Sequence, residues 1–219
     1  ARQGFLDPAD FEVFCTELPE YLRPLGRFAY ATGWRKTEVL NLQWWQVDLA
    51  GGTVRLENDQ TKTGQGRTYA FTPNDLSDEV AQLLRVQHES RRPNCPFVFH
   101  RNGRRIRDCY HAWRSAAERA GRTGLHLHDF RRSAARNLDR AGVPTGVAMT
   151  VMGHKTRSIF DRYNITSEGD LREATAKLST YLAAPRTALP KTVPLRSRKT
   201  QTRRARIAEP AKNGQSRAR

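Results

Sequence analysis

Five short segments, read in chain order, hold the residues best suited to chemistry. Arg35 lies in Ala31-Thr32-Gly33-Trp34-Arg35-Lys36-Thr37-Glu38, Lys62 in Thr61-Lys62-Thr63-Gly64, and both His128 and Arg131 in Leu127-His128-Asp129-Phe130-Arg131. His154 follows Met152-Gly153, and Tyr163 closes Phe160-Asp161-Arg162-Tyr163 nine residues later. Guanidiniums present forked donors that match paired anionic oxygens better than an ammonium does. Imidazoles exchange protons near neutral pH. A phenol becomes a nucleophile once relieved of a proton that it otherwise holds to a pKa of about 10. Singly, each residue also has a plainer reading. Arg35 after Gly33-Trp34 reads as a charge flanking a helix, Lys62 as a solvated turn lysine with Lys36 as its competitor, and Tyr163 as one of six tyrosines. His126 and His128 form a His-x-His pair, but no carboxylate or cysteine cluster stands beside them at metal-site spacing, so no metal is expected.

Taken together and in this order, the five segments resemble the catalytic domain of the tyrosine recombinases, the phage integrases. That family's pattern is an Arg after Thr-Gly-x, a hairpin Lys, a His-x-x-Arg box, a Gly-His and then a Tyr, and the resemblance spans roughly residues 7 to 182. It implies an enzyme that cuts and rejoins double-stranded DNA at specific sites through a 3′-phosphotyrosine on Tyr163. Arg35 and Arg131 would then grip the non-bridging oxygens as they gain charge. His128 would serve as base, Lys62 as the acid for the leaving 5′ oxygen, and His154 as a hydrogen-bonding partner of the phosphate. Glu38 would orient Arg35 through an ion pair, with a role as base the lesser alternative. Cationic side chains take the place of a metal, so no cofactor is implied. The resemblance also implies a homo-tetramer on DNA and a monomer when free, working in the integration or excision of a mobile element or prophage. Two other readings stay open: a relative that grips DNA without cutting, and an enzyme like the type IB topoisomerases.

The elements that must hold these residues follow from local patterns. Asp7-Pro8 opens a helix to about Leu18, a second runs from about Pro24 to Thr32 and stops at Gly33, and Thr37–Leu42 makes a third. Strand signals at 47–49, 53–56 and 67–71, with turns at Gly51-Gly52 and Thr63–Gly66, predict a small three-stranded antiparallel sheet. Helical periodicity returns at 76–89, 108–120, 129–141, 144–152, 158–165 and 171–182, with Pro96–Phe99 a brief extended piece between them. The last helix carries Leu171, Ala174, Leu178 and Leu182 on one stripe. The fold class is therefore α+β, mainly α-helical. Trp34, Trp44, Trp45 and Trp113 read as packing residues rather than base-stacking platforms.

Residues 1–184 read as one domain, and 185–219 as a disordered basic tail. That tail holds eleven Lys or Arg against the single acid Glu209, which leaves residues 1–184 a net +6 of the chain's +16. It is too poor in apolar residues to offset its ordering entropy. Such charge seeks a polyanion: DNA, RNA or an anionic membrane surface. No apolar run approaches the roughly 20 residues of a membrane helix, and Ala1–Phe5 hold no apolar stretch like that of a signal peptide. Cys15, Cys95 and Cys109 are scattered and odd in number, as suits a reducing bacterial cytoplasm or nucleoid. The family's usual N-terminal DNA-clamping domain has no counterpart before residue 7. The chain, which starts at Ala1, thus reads as a fragment or a minimal variant.

Overall fold

The computed structural model describes residues 4–61, 64–163 and 168–183. Ala1–Ala174 forms one compact unit. The second unit is Thr175–Arg219, whose described residues 175–183 belong to the last helix. Helix α1 (Pro8–Glu17) starts where the Asp7 carboxylate accepts the Asp10 N–H at 2.9 Å, with Pro8 in the first turn. Helix α2 (Arg23–Thr32) ends at Gly33, whose φ of 63° only glycine adopts cheaply. Helix α3 (Lys36–Leu40) follows at once.

Strands β1 (Val47–Asp48), β2 (Thr53–Leu56) and β3 (Arg67–Ala70) form the expected antiparallel sheet in the order β1-β2-β3. Its register pairs Val54 with both Val47 and Tyr69, and Leu56 with Arg67. The hairpin tip, Lys62 and Thr63, lies outside the described residues. Helix α4 (Glu79–Glu89) begins later than periodicity predicts. Asp78 takes the cap by accepting the Ala81 N–H, and Asp75 gathers Ser77 into a turn, which leaves Leu76 74% exposed. A second hairpin, β4 (His100–Arg101) and β5 (Arg104–Arg105), turns at Asn102-Gly103, both with positive φ. That dipeptide is a strong hairpin signal, so this sheet was legible in the sequence although not predicted.

Helices α5 (Tyr110–Arg119), α6 (Asp129–Arg140), α7 (Thr145–Met152), α8 (Arg157–Asp161) and α9 (Glu168–Ala183) complete the described elements. The fully buried Phe130 is the hub of the main core. Its ring stands edge-on to Phe11, Phe14, Tyr30 and Trp113 at 5.0–5.7 Å, joining α1, α2 and α5 to α6. Rings of this kind bury the most apolar area per residue, and this one fixes where the next residue, Arg131, begins its reach. A smaller core of Ala134, Ala135, Ala148, Met152 and Phe160 joins α6, α7 and α8, with Tyr163 packed on its edge.

Trp34 and Trp113 are buried as expected, and Trp44 is half-buried. Trp45 is not a packing residue: it is 62% exposed, and its indole N–H donates to Gln43 Oε1 at 3.2 Å. Trp44–Gln46 form a tight 3₁₀ turn, which sends adjacent side chains to different sides. All three cysteines are buried and free. Asn164, Ile165 and the basic tail lie outside the described residues. Among the described residues no helix is long and apolar enough to cross a membrane.

Candidate active site

Helix ends build the site. Gly33 is the C-cap of α2, and Met152 is the last residue of α7. Such positions leave carbonyls without a helical partner and carry the negative end of the helix dipole. Both carbonyls face one guanidinium. Arg131 Nη1 donates to Gly33 O and Nη2 to Met152 O, each at 2.6 Å, and Arg131 is only 2% exposed. The cation that α6 delivers is therefore held rigidly by backbone 98 and 21 residues away.

A second guanidinium, not anticipated from the sequence, shares the Met152 carbonyl. Arg67, the first residue of β3, donates from Nη1 to Met152 O at 2.7 Å. Its Cζ lies 5.1 Å from the centre of the Trp34 ring. It also forms a buried ion pair with Glu38. A β-carbon on Gly153 would collide with this guanidinium, so the glycine before His154 is required by packing as well as by its φ of 64°. In the sequence Arg67 is an unremarkable polar residue at a strand start. Its only signal was the alternation that turns it to the same face as Tyr69.

Glu38 binds the first arginine as well. The Arg35 N–H donates to Glu38 Oε2 at 2.7 Å, and Arg35 Nη1 to Oε1 at 3.1 Å. The carboxylate is thus shared between Arg35 and Arg67, while its own side chain is 2% exposed. Lys36 turns elsewhere, to Asp108 Oδ1 at 2.7 Å, and this contact raises its pKa.

Tyr163 sits among His128, His154 and Arg131. Its hydroxyl lies 3.3 Å from His128 Nε2. Its ring stacks on His154 at 5.1 Å and 15°, and Arg131 Cζ stands 5.9 Å from the ring centre. His128 precedes α6, and Tyr163 follows α8 with its N–H bonded to Phe160 O. The other five tyrosines do not share this setting. Tyr30, for one, is buried and donates to Leu6 O.

The charges explain how the histidines titrate. Burial, then the nearby Arg131, Arg35 and Arg67, push His154 down to about 3, so its ring is neutral at pH 7. Neither ring nitrogen of this 8% exposed residue has a hydrogen-bond partner among the described residues. His128 is also lowered, first by desolvation and then by Arg131. Desolvation, then Arg35 and Arg67, lower Arg131. Among the described residues no cluster of His, Cys, Asp or Glu is suited to a metal. The structure thus joins Arg35, Arg131, His128, His154, Tyr163 and Glu38, and adds Arg67.

The phage integrase family matches residues 9–169, and the chain belongs to that family. It is 28% identical over 188 residues to the integrase of Salmonella phage P22, covering 78% of this chain and 46% of that protein. A probable integrase/recombinase of Methanocaldococcus jannaschii is 30% identical over 59% of this chain and 41% of its own length. The fold is that of tyrosine recombinase catalytic domains. The catalytic domain of bacteriophage HP1 integrase superposes with a TM-score of 0.56 at 22% identity, over 80% of this chain and 95% of that one. A XerA recombinase gives 0.66 at 18% identity, over 80% and 63%. The chain spans less than half the length of these two curated relatives.

Proposed function

We propose that this chain is the catalytic portion of a site-specific tyrosine recombinase, which cleaves and rejoins double-stranded DNA without metal or ATP. The observation that carries this reading is a largely buried charge imbalance beside a tyrosine. The buried Arg67 and Arg131 and the 22% exposed Arg35 share the one carboxylate of Glu38, and His154 is neutral, stacked on the Tyr163 ring and without a hydrogen-bond partner among the described residues. Buried cations are costly unless they meet an anion. The surplus of two positive charges matches the roughly two negative charges of a five-coordinate phosphorus attacked by a phenolate.

In the proposed reaction the Tyr163 oxygen attacks phosphorus while its proton passes to His128. The P–O bond to the 5′ oxygen breaks, and Lys62 supplies the proton that this oxygen takes. Arg35 and Arg131 hold the non-bridging oxygens, His154 donates one hydrogen bond to them, and Glu38 and Arg67 orient the guanidiniums. A 5′-hydroxyl from a second strand reverses the step, so the bond is conserved in the 3′-phosphotyrosine and no cofactor is needed. Support comes from other proteins of this fold, among them a lambda integrase dimer bound to a core site.

On this reading the protein acts as a homo-tetramer on DNA and a monomer when free. The exposed stripe of Leu171, Leu178 and Leu182 on α9, each at least 55% exposed, supports packing on another copy. The working compartment is the bacterial cytoplasm or nucleoid, and the task is integration or excision of a mobile element. Residues 1–184 are the catalytic domain and 185–219 a basic extension. The test is a duplex nicked near candidate cleavage points, incubated with a chelator present. A covalent protein–DNA adduct is expected with the unaltered chain and none with Tyr163→Phe. No adduct on any site tried rejects catalysis, and site-blind relaxation of supercoils by monomer favours the topoisomerase reading.

A further inference from the structure

We infer that the β4–β5 hairpin is a second DNA contact, a clamp for backbone phosphates outside the chemical centre. This deepens the recombinase reading and rests on it for the identity of the polyanion. Between Ser90 and Arg107 the chain holds six arginines and no Asp or Glu. Four of them, Arg101, Arg104, Arg105 and Arg107, line one open cleft of about 680 Å³ with Tyr21. All four are exposed, and among the described residues none pairs with a carboxylate. The one acid in the cleft, Asp108, is already ion-paired to Lys36.

Two features separate this hairpin from an ordinary solvated surface. Arg101 and Arg104 are direct cross-strand partners, and like charges placed opposite one another disfavour the hairpin. An Asn-Gly turn and aromatic supports hold it nonetheless. Arg101 Cζ lies 4.9 Å from the Tyr21 ring centre, and Arg105 Cζ 5.8 Å from that of Phe97. Guanidiniums laid on rings lose less freedom when they bind, because their stems are already placed. A concentrated row of cations on a stiff hairpin matches the dense line of charge along a duplex, which a single carboxylate ligand does not require.

One ion pair links the segment after the hairpin to the neighbour of a site residue. Asp108, three residues beyond β5, is tied to Lys36 at 2.7 Å, and Lys36 adjoins Arg35 of the chemical centre. The segment that leaves the hairpin is therefore tied to the residue next to Arg35. Its contacts are to phosphates and carry no base information.

The test uses the full chain with Tyr163→Phe as the parent, so that binding is read without cutting. Affinity for a duplex of about 30 base pairs is measured by anisotropy across salt concentrations, with and without Arg101→Gln/Arg104→Gln. Each phosphate contact contributes about 0.9 to the slope of log affinity against log salt. The double variant is expected to lower that slope by nearly two and weaken binding about tenfold or more at low salt. The loss should be equal on candidate and scrambled sequences, and the melting temperature should be unchanged or higher because a like-charge pair is removed. An unchanged slope and affinity in a folded variant overturns the proposal, as does loss of self-association with DNA binding intact. The two readings fail separately: absence of an adduct with Tyr163 restored rejects the recombinase but leaves the salt slope as measured.

Discussion

Replacing Arg67 by Met tests whether the unanticipated arginine supports the site. The side chain is 4% exposed and meets three partners: the Glu38 carboxylate, the Met152 carbonyl at 2.7 Å and the Trp34 ring at 5.1 Å. Met keeps about the length but gives up the cation–π contact with Trp34 and leaves Glu38 with Arg35 alone. Breaking a buried pair on one side costs about 3–5 kcal/mol. Glu38 retains the Arg35 N–H at 2.7 Å and its guanidinium at 3.1 Å, and Arg131 loses a repelling neighbour. The low end, about 3 kcal/mol, follows. For a chain of this size each kcal/mol shifts the melting temperature by about 2–4 °C, so a fall of roughly 6–12 °C is expected. The Met152-Gly153 turn that places His154 would loosen, and misplacement on the ångström scale costs on the order of 10²-fold in rate. Because Arg67 is buried, affinity for intact duplex should change less than about threefold, within 1 kcal/mol. The assays are thermal unfolding by circular dichroism, single-turnover adduct formation and anisotropy. Arg67→Lys keeps the charge without the fork and should fall between the two. A melting temperature and adduct rate both unchanged in Arg67→Met would refute the reasoning.

Two further outcomes follow from the geometry. His154 is lowered from 6.5 to about 3, so the unfolded chain binds the extra proton first as pH falls. Its contribution is fully present above pH 6.5 and is lost toward pH 3, about 2 kcal/mol of it between pH 7 and 5. Urea midpoints at those two pH values should differ accordingly in the unaltered chain and less in His154→Gln; equal differences would argue against this origin. Gly33→Ala places a β-carbon 2.8 Å from Ala134 Cβ and 2.9 Å from Met152 Cε at a φ of 63°. The left-handed backbone alone costs about 1–2 kcal/mol, and the contact with Met152 should also slow adduct formation by shifting the carbonyl that holds Arg131. Gly142→Ala, at φ 73° with nothing within 4 Å, should show the backbone cost without the loss of rate.

What the sequence determined by itself was whatever rests on short-range physics or on ordered motifs. The Asp7-Pro8 start of α1, the Gly33 and Gly153 stops and the three-stranded sheet were legible because capping, turn chemistry and alternation act over a few residues. The order of Arg35, His128, Arg131, His154 and Tyr163 along the chain marks the family by itself. Tertiary structure decided the rest. Arg67 joins the site through a carbonyl 85 residues away, and the Tyr163 hydroxyl meets a histidine 35 residues away. Neither distance has a periodic signature, because each depends on how α6, α7 and β3 pack. Trp45 was read as a packing residue by its type, and a helix was expected from Leu76, yet Trp45 lies exposed in a tight turn and the helix starts only at Glu79. Local rules specify where an element starts and stops. Which buried cation ends beside which helix end follows only from the two cores around Phe130 and around Met152, where packing sets the reach of the side chains.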